Sequence, residues 1–314
     1  MKKILVTGGA GYVGSTLVPM LLDQGYDVTV FDNLMYGGNS IIPLFSNDKF
    51  NFIKGDIREK ALMKKTLSKA DAIIHLAAIV GYPACKKDPI LANQVNDEAS
   101  KFIADNVRPE QLVVFASTGS NYGAIKNGIC VEELPLNPLT IYGKTKVAAE
   151  KHFLEKDTCN AIIFRYATAF GISPKLRLDL LINDFVYQAV KNNYLLIYES
   201  HLKRTFIHVR DMARSIIFAL KNKDKLINNV YNVGDQSMNL SKAKIANMIK
   251  KYKDFYLHFV EIGKDEDQRD YEVSYEKINK LGFHTTVDIQ TGIKELVRVM
   301  SIVEIPKTYS NVGI

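Results

Sequence analysis

The 314-residue chain is 47% hydrophobic and 24% charged, enough apolar material for a sizeable core without metal or disulfide staples. Its three cysteines, Cys85, Cys130 and Cys159, lie far apart and form no Cys-x-x-Cys pair. Neither a disulfide framework nor a metal knuckle is expected, and a reduced, cytoplasmic setting is the simplest reading. The net charge of +7 and pI of 9.0 come from scattered lysines at helical spacing, densest at Lys64-Lys65 and between Lys242 and Lys253. Without a clustered patch or docking motif a nucleic-acid partner is not expected, whereas a polyanionic small substrate is compatible. The apolar start of the chain is broken at Thr7-Gly8-Gly9, and no later run approaches ~18 apolar residues, so neither a signal peptide nor a membrane partner is expected.

Through residue ~165 short apolar runs alternate with helical patterns, the rhythm of a Rossmann-type, doubly wound parallel α/β sheet. Strands are expected at 4–7, 28–31, 50–54, 72–76, 112–116 and 161–165. Helices are expected at 11–24, 59–68, 89–106 and 141–155. Ala72-Ile73-Ile74-His75-Leu76 is almost continuously apolar, as a strand buried on both faces requires. After Gly171 the rhythm changes: helical patterns at 179–191, 210–222, 241–251 and 289–300 are separated by isolated short strands. The division expected is a dinucleotide-binding domain over 1–170 and a smaller α/β substrate lobe over 171–314, with a cleft between them.

Thr7-Gly8-Gly9-Ala10-Gly11-Tyr12-Val13-Gly14 leaves the first strand and opens the first helix. Glycines at these spacings allow a tight turn, backbone approach to a pyrophosphate, and close packing of helix on strand. Tyr12 and Val13 would offer backbone N–H groups at the positive end of the helix. Asp32, 18 residues after Gly14 and followed by Asn33, ends the second strand, where a carboxylate holds the adenosine ribose hydroxyls. A 2′-phosphate would be repelled there, and the first arginine in the chain is Arg58, so the cofactor expected is NAD and not NADP. Asp56 and Ile57, after the third strand, are placed to reach the adenine.

Tyr-x-x-x-Lys puts a phenol and an ammonium on one helical face, and the cation favours the phenolate that can take a hydroxyl proton. Chance yields roughly one or two such pairs in a chain of this composition. Four exist: Tyr82/Lys86, Tyr122/Lys126, Tyr142/Lys146 and Tyr187/Lys191. Pro83 and Gly123 mark the first two as loops, and the fourth falls in the second lobe. Only Tyr142 opens a helix of the first half, after a strand ending Phe115-Ala116-Ser117-Thr118 at its ligand-binding carboxyl edge.

With Gly-Asp-Ile (55–57), His-Leu-Ala-Ala (75–78), Ser-Thr-x-x-x-Tyr-Gly (117–123), Tyr-Gly-Lys-Thr-Lys (142–146) and Arg-Thr-Phe-Ile-His-Val (204–209), the chain resembles the extended short-chain dehydrogenase/reductases that act on sugar nucleotides. The resemblance implies that Tyr142 is the base, that Lys146 supports it and the nicotinamide ribose, and that Thr118 orients the substrate hydroxyl. It also implies cofactor contacts at Leu76, Ala77 and Ala78, substrate contacts at Asn183, Arg204 and Arg269, no metal, and a homodimer through 89–106 and 141–155. Guanidinium groups suit a diphosphate by their bidentate geometry.

There are departures. The family's 4,6-dehydratases carry Asp-Glu where this chain has Gly119-Ser120, which removes the carboxylates needed for elimination. Its epimerases usually show Phe-Asn where this chain has Ala167-Thr168. Residues 171–183 most resemble the GDP-manno-heptose 4-dehydrogenase branch. The expected reaction is NAD-dependent oxidation at C4 of a nucleotide-linked sugar, a GDP-heptose. The alternatives are a nucleotide-sugar 4-epimerase of the UDP-hexose type, and a non-catalytic NAD-binding sensor, which the retained Thr118, Tyr142 and Lys146 argue against.

Overall fold

A computed structural model describes residues 2–123, 128–155, 159–260 and 272–305. Seven strands form one parallel sheet: β1 (Lys3–Thr7), β2 (Asp27–Asp32), β3 (Phe50–Lys54), β4 (Ala72–His75), β5 (Leu112–Thr118), β6 (Asn160–Tyr166) and β7 (Asn229–Val233). Their order across the sheet is β7-β6-β5-β4-β1-β2-β3. The order reverses between β1 and β4. A crevice opens there at the carboxyl ends of the strands, which is where ligands bind in such sheets.

Alternation along the strands explains why this sheet sits in the middle of its layers. Ile4, Val6, Ile74 and Val114 enter the core on one face, while Leu5, Ile73, Val113 and Phe115 enter the core on the other. All eight are buried, so each strand must be apolar on both sides. The six strands expected from the first 165 residues are present. The seventh, β7, comes from beyond residue 171 and was not foreseen. Ahead of it the Val209–Lys221 helix returns to pack on the first helix, Gly14–Asp23, with Met212, Ala213 and Ile216 in the same core as Leu17, Val18 and Leu21.

The expected helix over 89–106 is broken. It runs as Pro89–Asn93, a π-turn at Gln94–Glu98, and Ala99–Asn106. The wide turn delivers Asn96 inward, where its side chain grips both backbone groups of Ile79: the Ile79 N–H donates to Oδ1 at 2.8 Å and Asn96 Nδ2 donates to the Ile79 carbonyl at 2.9 Å. Single π-turns of this kind mark functional positions in helices.

A third core fills the remainder, with Phe170, Ile182, Val186, Leu195, Phe206, Ile245, Ile293 and Leu296. It packs around a three-stranded sheet (Asn239–Ser241, Lys203–His208, Thr168–Phe170) and a parallel pair (Tyr194–Tyr198, Tyr256–Val260). None of the helices among the described residues is long and apolar enough to cross a membrane.

Candidate active site

One cavity of about 760 Å³ runs from the carboxyl ends of β1 and β2 to the third core. Its first end is the glycine-rich loop. Gly8 has φ +72°, and a Cβ there would lie 2.7 Å from the Ala77 backbone nitrogen, so this position admits only glycine. The Gly14–Asp23 helix has neither a side-chain cap nor an acidic residue in its first turn, which leaves its positive end open to an anion. Asp32 holds the loop from below: Ala10 N–H donates to Oδ2 at 3.0 Å and Leu34 N–H to Oδ1 at 2.8 Å. Burial lifts the Asp32 carboxyl above its ordinary value, which those two donors oppose. Arg58 is tied to the rim of this end. Its Nε and Nη2 both reach Asp56 at 2.9 Å, and Nη1 donates to Gln94, so its charge is spent before it could meet a phosphate.

Further along the wall stands the Ile141–Leu154 helix. Thr140 caps it by accepting from the Gly143 N–H at 3.1 Å, which fixes the first turn where Tyr142 sits half-buried. Lys146, four residues on, is only 3% exposed and lies 3.9 Å over the Phe115 ring. Burial pulls its ammonium down to about 7, and Glu150 one turn later opposes that shift. Glu150 is itself pinned: Arg165 from β6 reaches it at 2.8 Å, Asn121 donates to it at 2.6 Å, and the Ser117 hydroxyl donates to the same carboxylate. This buried network fixes the end of β5, where Thr118 faces the cavity and exchanges hydrogen bonds with the Ser120 backbone and hydroxyl.

The second half of the chain adds buried cations to the wall: Lys175, Arg177, Arg204 and Lys242, each under 9% exposed. Asp179 forks the Arg177 guanidinium at 2.6 and 3.2 Å, and the remaining field of Arg177 reaches Tyr142 and Tyr12. Arg204 donates to the Lys203 carbonyl at 3.1 Å, and Lys242 to the Tyr198 carbonyl at 3.1 Å.

A single cavity lined by a glycine-rich loop, a Tyr–Lys pair and buried cations defines a recognisable class. Residues 4–234 match the NAD dependent epimerase/dehydratase family. The chain belongs to that family. It is an enzyme, and NAD is its cofactor. It is similar to UDP-glucose 4-epimerase 4 of Oryza sativa subsp. japonica, 30% identical over 77% of this chain and 73% of the relative. It is similar to the dTDP-glucose 4,6-dehydratase of an Actinoplanes species, 28% identical over 94% of this chain and 96% of the relative. Among solved structures, the UDP-glucuronic acid 4-epimerase of Bacillus cereus, in complex with UDP-glucuronic acid and NAD, superposes with a TM-score of 0.85 at 27% identity. That alignment covers 95% of this chain and 98% of the other.

Against this family site the sequence expectations fall as follows. Gly8, Gly11, Tyr12, Val13, Gly14, Asp32, Asn33, Asp56, Ile57, Leu76, Ala77 and Ala78 all line the dinucleotide end, and Thr118, Tyr142, Lys146 and Arg204 line the rest. Asn183 stands one layer behind the wall. It accepts from Gly171 N–H at 2.9 Å and donates to the Arg177 carbonyl at 2.9 Å, so it holds the backbone of this stretch and does not face the cavity. Arg269 lies outside the described residues. Lys175, Arg177 and Lys242 line the wall and were missed, although the first two fall in the 171–183 stretch already singled out. Tyr82, read as a loop residue, opens a short helix (Tyr82–Lys87) and lines the cavity beneath the Lys86 ammonium.

Proposed function

We propose that this enzyme oxidises the C4 hydroxyl of a nucleotide-linked sugar, a GDP-heptose, and releases the 4-keto sugar nucleotide. Residues 1–170, joined by the returning 209–233 segment, would hold the dinucleotide, and the rest of 171–314 would hold the sugar nucleotide. The observation that carries the reading is one cavity lined together by the glycine-rich loop, the Tyr142/Lys146 pair and the buried cations Lys175, Arg177, Arg204 and Lys242.

Bound NAD supplies the two-electron oxidant. Asp32 fits the adenosine ribose, because each carboxylate oxygen keeps lone pairs beyond the backbone donor it already holds. Tyr142 takes the C4 hydroxyl proton while Thr118 accepts or donates at the same oxygen to fix its direction. Lys146 lowers the cost of the phenolate. With its ammonium pulled to about 7, the permanent charge of Arg177 supplements it at higher pH. Arg204, with Arg269, would grip the diphosphate as bidentate donors.

Elimination does not suit this site, because the two positions following Thr118 are Gly119 and Ser120 and offer no carboxylate. The heptose assignment rests on residues 171–183, of which Lys175, Arg177, Asp179, Leu180 and Leu181 shape the cavity wall. The second reading is a 4-epimerase, favoured by the rice and Bacillus relatives. It makes the same ketone but lets the sugar present its other face before reduction, so no reduced cofactor accumulates. Incubation with GDP- and UDP-sugars, followed by absorbance at the NADH band and product NMR, separates the two. A 4-ketone with stoichiometric NADH supports the dehydrogenase; a C4-inverted sugar without NADH replaces it by the epimerase.

A further inference from the structure

Two stretches of the cavity wall are stitched together by buried hydroxyl groups. The Tyr12 hydroxyl, from the glycine-rich loop, donates to the Gly171 carbonyl at 2.8 Å. The Ser173 hydroxyl donates to the Tyr12 carbonyl at 2.6 Å. Its one hydrogen spent, Ser173 accepts from the Ser15 hydroxyl at 2.9 Å, and the Lys175 N–H donates to both serine oxygens at 3.2 and 3.3 Å. Tyr12, Ser15, Ser173 and Lys175 are each under 9% exposed, so water does not compete for these bonds. Gly171 cannot slide away from the contact. At φ +104°, its Cβ position lies 2.1 Å from the His208 imidazole, and Asn183 holds its N–H.

Residues 12–15 form the backbone that must settle around a pyrophosphate. Residues 173–179 carry Lys175, Arg177 and Asp179 into the wall of the same cavity. Whatever fixes one segment therefore reduces the freedom that the other must lose on binding. We propose that Ser173, together with the Tyr12 hydroxyl, is a positioning group that couples occupancy of the dinucleotide end to affinity at the sugar-nucleotide end. The coupling is reciprocal by thermodynamic necessity, so each ligand tightens the other by one factor. The inference rests on the nucleotide-sugar reading above, and adds a mutual tightening of the two ligands that neither the Tyr–Lys pair nor the cations require.

The test is isothermal titration of the full chain with UDP-glucose and GDP-mannose as probes, each with and without saturating NAD, and of NAD with and without the probe that binds. In the wild type the binding probe should tighten about three- to tenfold when NAD is present, and NAD should tighten by the same factor when the probe is present. Ser173→Ala should bring that factor close to one while NAD affinity measured alone stays within about twofold. A merely structural role would weaken both ligands alike and leave the factor intact. Tyr12→Phe, which loses one oxygen and keeps the ring, tests the linkage factor alone, with no requirement on its NAD affinity, should Ser173→Ala fail to fold. A wild-type factor of one, or full linkage in both variants, overturns the coupling while leaving the nucleotide-sugar reading in place. Failure of both probes to bind the wild type, with NAD or without, overturns that reading and the coupling with it.

Discussion

Replacing Lys146 with methionine should make the apo protein more stable and abolish turnover. The ammonium is buried beneath the active-site wall, and its pull from the ordinary 10.5 to about 7 measures how much the fold disfavours the charged form. A gap of 3.5 pH units at about 1.4 kcal/mol each sets a ceiling of roughly 5 kcal/mol. Relaxation around the methionine and loss of the 3.9 Å contact with the Phe115 ring take back part of this. We expect about 2 kcal/mol at neutral pH, or about 4 °C in Tm. The pH dependence identifies the cause. Below pH 7 Lys146 is charged in both folded and unfolded chains, and the whole penalty is present. Between pH 7 and 10.5 the folded chain has released the proton that the unfolded chain still holds, so wild-type stability from this group rises with pH. The advantage of Lys146→Met should therefore be largest below pH 7 and vanish toward 10.5. Urea unfolding of both proteins between pH 6 and 10 reads it directly. A variant less stable than wild type at pH 6, with a difference flat across the range, would refute the reasoning.

Asp32→Ala combined with Asn33→Arg should shift preference toward NADP, by removing a carboxylate from the ribose end and adding a cation beside it; wild-type protein that already binds NADP as tightly as NAD would contradict the placement of Asp32. Arg204→Ala should weaken sugar-nucleotide binding ten- to a hundredfold, the worth of about 1.5–3 kcal/mol for a charge-assisted contact, with NAD affinity unchanged in calorimetry. Gly8→Ala should abolish NAD binding at any accessible concentration, because the new Cβ would meet the Ala77 backbone at 2.7 Å in a left-handed turn. Ordinary NAD affinity in that variant would show that the loop takes another conformation.

What could be read from the chain was set by sequence distance. The glycine loop, Asp32 and the Tyr142/Lys146 pair are each defined by spacings of a few residues within one strand–turn–helix unit, so their geometry is local. The strand Asn229–Val233 was invisible as part of the sheet, because its place beside Asn160–Tyr166 is decided by packing of the Val209–Lys221 helix on the first helix, some 200 residues upstream. The break in 89–106 was hidden for a similar reason. Its apolar spacing suits a continuous helix, and the π-turn is held by Asn96 gripping Ile79, a tertiary contact. Asn183 was expected to face the substrate, and Arg177, six residues before it, lines the cavity instead. Both lie in one informative stretch, but which side chain faces the cavity depends on the turn between Phe170 and the Leu181–Lys191 helix. Tyr82 shows the converse error. The following Pro83 was read as a loop mark, whereas proline in the first turn starts the short helix that presents the ring to the cavity.

The central claim is that Tyr142 removes the proton from the sugar hydroxyl in an NAD-dependent oxidation, and turnover of Tyr142→Phe tests it most directly. The phenyl ring keeps the packing of the half-buried side chain in the first turn of its helix, and only the hydroxyl is lost. With the sugar nucleotide that the wild type oxidises, kcat should fall at least ~100-fold, the range of general-base removal. NAD affinity, measured by titration on the same sample, should be unchanged. Near-normal turnover with NAD bound would contradict the account and move the base to another residue of the cavity wall.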